Sequence, residues 1–148
     1  IETGTLNHEG IAGTEGAIKF IAGLGHGTTN REKIRTAMDA IEAYEDPLAR
    51  WAREELRAIQ GVKVYAAPDD VRKTPTIAFR VAGKSPREVC LNALKKGVYI
   101  ASGDFYASTL AMVLGIRESG SFVRAGLAPY TTWEEVERMV QSVRELAK

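Results

Sequence analysis

The sequence predicts an α+β fold of two layers, in which a few strands are covered by helices and preceded by a long spine helix. Three observations carry this expectation. From Ile34 to Ile59 an apolar stripe recurs every three to five residues through Met38, Ile41, Tyr44, Leu48, Trp51 and Leu56, the spacing of one helical face. After Gly61, short β-rich runs alternate with helical segments. Three of the helical segments open on a capping box.

In order along the chain, the apolar residues Ile11, Ile18, Ile21 and Leu24 predict a helix between Glu9 and Leu24, with Gly25 as its stop. The glycines of "HEGIAGTEGAIKFIAGLG" make it a poor isolated helix and suit one pressed tightly against neighbours. "GHGTT" reads as a linker. Thr29 and Glu32 form a capping box at the head of the spine helix, and Pro47 inside it predicts a kink. "VKVYA" (62–66) and "TPTIAFRV" (74–81) predict strands about the turn-forming "APDDVRK". Ser85, Pro86 and Glu88 supply an N-cap, a proline at the first position and a capping-box carboxylate for a helix ending at Gly97. "VYIA" (98–101) is expected as a short strand, then a polar loop, a short helix and a last strand at 121–125. Thr132 and Glu135 cap the final helix, whose core face is Val136, Met139, Val140, Val143 and Leu146.

Composition excludes several functions. At 45% hydrophobic and 26% charged residues, the 148-residue chain is an ordinary globular domain with enough length for a real core. A net charge of +1 gives no electrostatic case for nucleic acid or an acidic membrane. No apolar run approaches a membrane span, and no signal peptide is visible. One cysteine excludes an internal disulfide and a multi-cysteine zinc site, and fits a reducing cytoplasm. The two histidines, His8 and His26, are too isolated to argue for a metal. The chain opens at Ile1 without Met and runs at once into a motif, so the expectation is a C-terminal piece of a longer protein.

Arg124 poses the chemical question. It follows Phe122 and Val123 in an otherwise apolar strand, "FVRAGLAPYTTW", and a desolvated guanidinium costs several kcal/mol unless an anion meets it. That stretch offers no carboxylate, so a ligand is a candidate partner. "ETGTLNHE" (2–9) reads either as a helix lead-in capped by Asn7 or Thr5, or as a phosphate-binding turn built on Gly4 and Thr5. His8 reads as a polar surface residue. "ASGDFYAS" (101–108) follows a strand, where ligand loops tend to lie; Asp104 and Tyr106 are substrate-contact candidates, and a solvated turn fits equally. Cys90, beside Val89, Ala93 and Leu94, reads as a core thiol. No lysine has a setting that marks it for Schiff-base chemistry.

In order and spacing, "ETGTLNHEGIAG", "AIEAYEDPL", "RKTPTIAFRVAG", "GVYIASGDFYA" and "VRAGLAPYTTWEEVERMV" resemble the C-terminal part of class V aminotransferase-type pyridoxal phosphate enzymes, in the cysteine desulfurase and selenocysteine lyase branch. The resemblance runs through nearly the whole chain. It implies the small domain of a fold-type I enzyme, with a mostly antiparallel sheet. Residues 1–27 would be the tail of the large cofactor domain, 28–60 an inter-domain helix and 61–148 the small domain.

The resemblance also implies roles. Arg124 would grip the α-carboxylate of a small amino-acid substrate, which a planar fork of donors suits better than an ammonium. Gly4 and Thr5 would help hold the cofactor phosphate of a neighbouring subunit in a homodimer. Asp104, Tyr106 and His8 would line the substrate site. Desulfurases of this kind place a nucleophilic cysteine in the loop corresponding to 101–108, where Tyr106 stands here, so this chain is more similar to the desulfurase-like subgroup. The lysine, aspartate and histidine that hold the cofactor lie upstream of Ile1 in the family. The implied chain is therefore inactive alone and binds no cofactor by itself. A different class of reading also accounts for Arg124: a stand-alone α+β module that binds an amino acid or a protein partner without catalysis.

Overall fold

The computed structural model describes residues 4–148, so Ile1–Thr3, the start of the "ETGT" motif, lie outside the described residues. Residues 1–44 and 45–148 form two compact units. In the first, α1 (His8–Gly23) is capped by Asn7, whose side-chain oxygen accepts from the Gly10 N–H at 2.8 Å. Of the two caps the sequence offers, Asn7 is the one used. No residue of α1 is buried, and Ile11, Ile18 and Phe20 are exposed.

α2 (Asn30–Ala58) begins in this unit on the expected capping box. The Glu32 N–H donates to Thr29 Oγ1 at 3.2 Å, while Glu32 Oε2 accepts from the Thr29 N–H at 3.0 Å and the Thr28 hydroxyl at 2.8 Å. The preceding linker is clamped by Thr36, whose hydroxyl accepts from the His26 N–H and donates to the His26 carbonyl, both at 2.8 Å. Gly25 permits this approach: a Cβ there would stand 1.9 Å from the Lys33 carbonyl oxygen. Within this unit Ala37 is buried, whereas Met38 and Tyr44 of the expected stripe are exposed.

The second unit holds the core. α2 continues unbroken through Pro47. Four strands follow: β1 (Val62–Tyr65), β2 (Thr76–Val81), β3 (Ala101–Gly103) and β4 (Phe122–Gly126). They form one sheet in the order β1-β2-β4-β3, antiparallel at every pairing. Three helices intervene or follow: α3 (Pro86–Leu94), α4 (Ser108–Val113) and α5 (Trp133–Leu146).

One face of the sheet presents Ile77, Phe79, Val81, Val123 and Ala125. They pack on Leu48, Ala52 and Leu56 of α2, Val89 of α3, and Val136, Met139, Val140 and Val143 of α5. This is the expected α+β architecture of two layers, with its mostly antiparallel sheet and long leading helix. Burying a Leu, Val or Phe side chain contributes about 1.5–3 kcal/mol, so this cluster dominates the stability of the unit. Trp51 and Trp133 meet edge to face at 5.6 Å and link α2 to the start of α5. Both α3 and α5 carry the predicted capping boxes, on Ser85 with Glu88 and on Thr132 with Glu135.

Two expected boundaries move by three residues. The helix expected to reach Gly97 ends at Leu94, and Gly97 takes a positive φ of 72° as the chain reverses. The strand expected at 98–101 begins only at Ala101. Val98 and Ile100 pack against the core, which is what their apolar pattern signals, but the ladder with β4 spans only the partners of Phe122, Val123 and Arg124. Leu146 is half-buried at the end of α5, whereas the other four residues of its expected core face are buried.

The Thr29–Glu32 cap makes the first unit sensitive to acid. The Glu32 carboxyl is held down at about 2 from its ordinary 4.5, chiefly by the Thr28 hydroxyl and then by the N–H groups of Thr29 and Thr28. A carboxyl whose folded pKa is depressed contributes stability that is complete above about pH 4.5 and is lost as the pH falls through about 2. Carbon-13 NMR of the Glu32 carboxyl should titrate near pH 2, and Glu32→Gln should remove that acid limb from the unfolding curve of α2. A midpoint at the ordinary 4.5 contradicts the cap.

Candidate functional site

The alternation of β4 decides where Arg124 goes. Successive side chains of a strand point to opposite faces, so Val123 and Ala125 enter the core while Arg124 between them faces away. The guanidinium is therefore exposed, which corrects the expectation that an apolar strand would desolvate it. Val123 beside it is apolar because it serves the other face, and Phe122 is covered on Arg124's own face. Across the sheet, Arg124 lies opposite Ala78 on β2 and Ala101 on β3. Those flanking methyls leave room for a long side chain to lie over the sheet. Among the described residues no carboxylate forms an ion pair with it.

Its contact is aromatic. The guanidinium carbon sits 3.8 Å from the centroid of the Phe105 ring. Phe105 belongs to a turn after β3 in which the Asp104 carbonyl accepts from the Ala107 N–H at 2.8 Å, and the Asp104 carboxylate accepts from the Tyr106 N–H at 3.2 Å. Both central residues are left-handed, with φ of 51° at Phe105 and 64° at Tyr106. That is the signature of a type I′ turn, which ordinarily takes Asn and Gly.

Arg124, Phe105 and Asp104 line one open pocket of about 680 Å³. Its other walls are apolar: Val64, Tyr65 and Ala78 from β1 and β2, Leu110 and Leu114 from α4 and the residue after it, and Phe122. Phe122 is fixed there by an edge-to-face contact with Tyr65 at 5.2 Å. Arg124 is the one cation in the lining, and no lysine contributes. The arrangement can hold an anionic head group against an apolar wall.

The candidates from the sequence separate accordingly. Arg124 and Asp104 share the pocket. Tyr106 belongs to the same turn, but its ring is wholly in solvent and does not line the cavity. Gly4, Thr5 and His8 belong to the first unit, all exposed at the lead-in to α1. Phe105 was not a sequence candidate. The signal that could have found it is an aromatic pair where a tight turn calls for Asn or Gly.

Cys90 stands on the other side of the sheet. It is half-buried on α3 against the core, near Ser102, the cross-strand partner of Val123. Burial pushes its pKa up, and the Ser102 hydroxyl opposes that only in part. Among the described residues no cluster of His, Cys, Asp or Glu could hold a metal, and no helix is long and apolar enough to cross a membrane.

Comparison with known proteins agrees with this architecture. The aminotransferase class V family profile matches residues 1–139. The chain belongs to the class V aminotransferase family. Among its relatives is a "probable cysteine desulfurase" of Staphylococcus aureus (strain COL), 30% identical over 75% of this chain and 26% of that protein. Another protein of that name, from Staphylococcus epidermidis (strain RP62A), is 29% identical over 97% of this chain and 31% of its own length. The cysteine desulfurase CsdA of Escherichia coli shares the fold, with a TM-score of 0.74 at 23% identity over 98% of this chain and 32% of that one. The apo cysteine desulfurase of Thermococcus onnurineus NA1 has a TM-score of 0.70 at 26% identity, covering 80% of this chain and 28% of its own. The chain thus spans about a third or less of the relatives it matches.

A core thiol of raised pKa is a poor nucleophile at neutral pH. Cys90 should react with a thiol-specific reagent far more slowly than free cysteine at pH 7.5, and the rate should still be rising above the free-thiol pKa of about 8.5. Cys90→Ala should cost about 1–2 kcal/mol in denaturant unfolding, by lost packing alone. Rapid stoichiometric modification at neutral pH contradicts the assignment.

Proposed function

We propose that this chain supplies the substrate-carboxylate arginine of a pyridoxal phosphate-dependent, cysteine desulfurase-like lyase or transferase acting on a small amino acid. One observation carries the reading. Arg124 is an exposed guanidinium, unpaired by any carboxylate among the described residues, stacked on an aromatic ring in a pocket whose walls, apart from Asp104, are apolar. A planar fork of donors in that setting matches a carboxylate through two parallel hydrogen bonds.

The cofactor fits this chain only in part. Gly4 and Thr5 are exposed ahead of α1, and nothing stands within 4 Å of where a Gly4 side chain would begin, so there is room for a bulky anion. They are the proposed phosphate ligands, presented to a second copy of the chain in a homodimer. The Arg124 pocket contains no lysine, so covalent attachment of the cofactor is not assigned to these residues, and the chain alone is proposed to be inactive. When bound, pyridoxal phosphate supplies an electron sink for the substrate's α-carbon.

The work of this chain is orientation. Arg124 fixes one end of the substrate, and the apolar wall excludes water beside it. Asp104, Tyr106 and His8 are proposed to border the substrate. In an enzyme of the relatives' length, residues 1–27 would close the large domain, 28–60 would join the domains and 61–148 would form the small one. The site of action proposed for such an enzyme is the cytoplasm. With Tyr106 at the loop position where desulfurases carry cysteine, and Cys90 behind the sheet, sulfur transfer through a persulfide on this chain is not part of the proposal.

In the cofactor-loaded enzyme, Arg124→Ala should leave the cofactor absorbance unchanged and weaken amino-acid binding. The expected loss is about 2 kcal/mol, at the low end for one partner of a charge pair because this guanidinium faces solvent. Arg124→Lys should recover only part of it. An amino-acid titration of the cofactor band reads all three proteins; unchanged affinity in Arg124→Ala shows that the arginine is structural.

A further inference from the structure

Phe105 has a backbone that its residue type disfavours. Its φ of 51° and the 64° of Tyr106 place two bulky side chains in the left-handed region, where Asn or Gly would sit with little strain. Turn formation alone does not call for an aromatic residue here. At Tyr106 the ring is entirely in solvent, whereas the Phe105 ring is half-buried and lies against the Arg124 guanidinium at 3.8 Å.

The pairing register explains the contact. Gly103 lies opposite Phe122, and Ala101 lies opposite Arg124. The chain leaves the sheet after Gly103, itself at a φ of 148°, and the left-handed turn folds back over the open face to reach Arg124. On both neighbouring strands Arg124 faces only alanine, Ala78 and Ala101, so neither flank offers another polar or aromatic surface. The strained turn thus brings a ring to an arginine that would otherwise sample many rotamers.

We infer that Phe105 is a positioning residue for Arg124: its ring holds the face of the guanidinium and leaves the edge donors for a carboxylate on an apolar body. The inference rests on the carboxylate reading of Arg124 proposed above. Stacking engages the π-face of the cation and spends no N–H, so the donors that make a bidentate pair remain available. Apart from Asp104 beside the turn, the pocket walls, Val64, Tyr65, Leu110 and Phe122 among them, favour an aliphatic or thiol-bearing body over a charged one.

The test uses the full chain, with propionate as the probe and NMR of the arginine side chains as the readout. In the wild type, the Arg124 Nε–H signal should be shifted upfield by the Phe105 ring current and should move on propionate addition. Phe105→Leu keeps the bulk but lacks the ring; it should abolish the ring-current shift and weaken propionate about fivefold, the scale of one exposed cation–π contact. Phe105→Tyr keeps the ring and should retain both. Phe105→Gly relieves the left-handed strain, so it should melt no lower than wild type while losing affinity as Phe105→Leu does. That split between stability and affinity is not expected of a packing residue. If Phe105→Leu binds propionate as tightly as wild type, or Phe105→Tyr loses as much as Phe105→Leu, the positioning role is wrong. If Arg124→Ala binds as wild type does, or wild type does not bind, the carboxylate reading itself fails, whatever Phe105 does.

Discussion

The two-residue period of β4 is the constraint on which the site depends. Val123 and Ala125 must enter the core between β2 and the covering helices, and this forces Arg124 out on the opposite face. A slip of one residue in pairing would drive the guanidinium into the packed layer and expose both apolar residues. The desolvation alone would cost several kcal/mol, so the register is strongly specified. The same register aligns Ala101 with Arg124 and Gly103 with Phe122, which determines where the chain leaves the sheet and which residue returns to meet the arginine. Packing on one face thereby sets the chemistry on the other.

This division separates residues that look equally reactive in a linear reading. Cys90 and Arg124 are carried by neighbouring elements, yet the sheet stands between them. The thiol shares the helical layer with Val89 and Ser102, where burial keeps it protonated. The guanidinium shares the open layer with Phe105, Asp104 and the apolar pocket walls. Among the described residues other than glycine, a positive φ occurs in the open layer's turn, at Phe105 and Tyr106, and at Ser121, whose carbonyl is held by Arg80 just before β4. Backbone outliers at both approaches to one pocket fit a scaffold that gives up local comfort to place side chains.

Much of the fold was legible because its signals are local. Three capping boxes, on Thr29, Ser85 and Thr132, mark helix starts through groups only three residues apart. The apolar stripe of α5 names its buried face. The strand expected at 98–101 shows the limit: Val98 and Ile100 reveal burial, but hydrogen-bond pairing depends on where β4 runs, which the local pattern does not contain. Arg124 was misread as desolvated for a related reason, since its neighbours' apolarity belongs to two different faces. The pocket draws on segments near residues 64, 78, 104 and 122, and no linear pattern assembles them. Phe105 escapes a linear reading because its one mark there, an aromatic pair where a tight turn calls for Asn or Gly, says nothing of the arginine it meets.

The most direct test is a crystal structure of the chain grown with L-alanine, read at the Arg124 side chain. The predicted result is the amino acid's carboxylate paired with the guanidinium edge on the open face of the sheet, with the Phe105 ring still beneath the guanidinium and φ still positive at Phe105 and Tyr106. The contradicting result is Arg124 turned to a protein carboxylate such as Asp104, with no amino acid in the pocket.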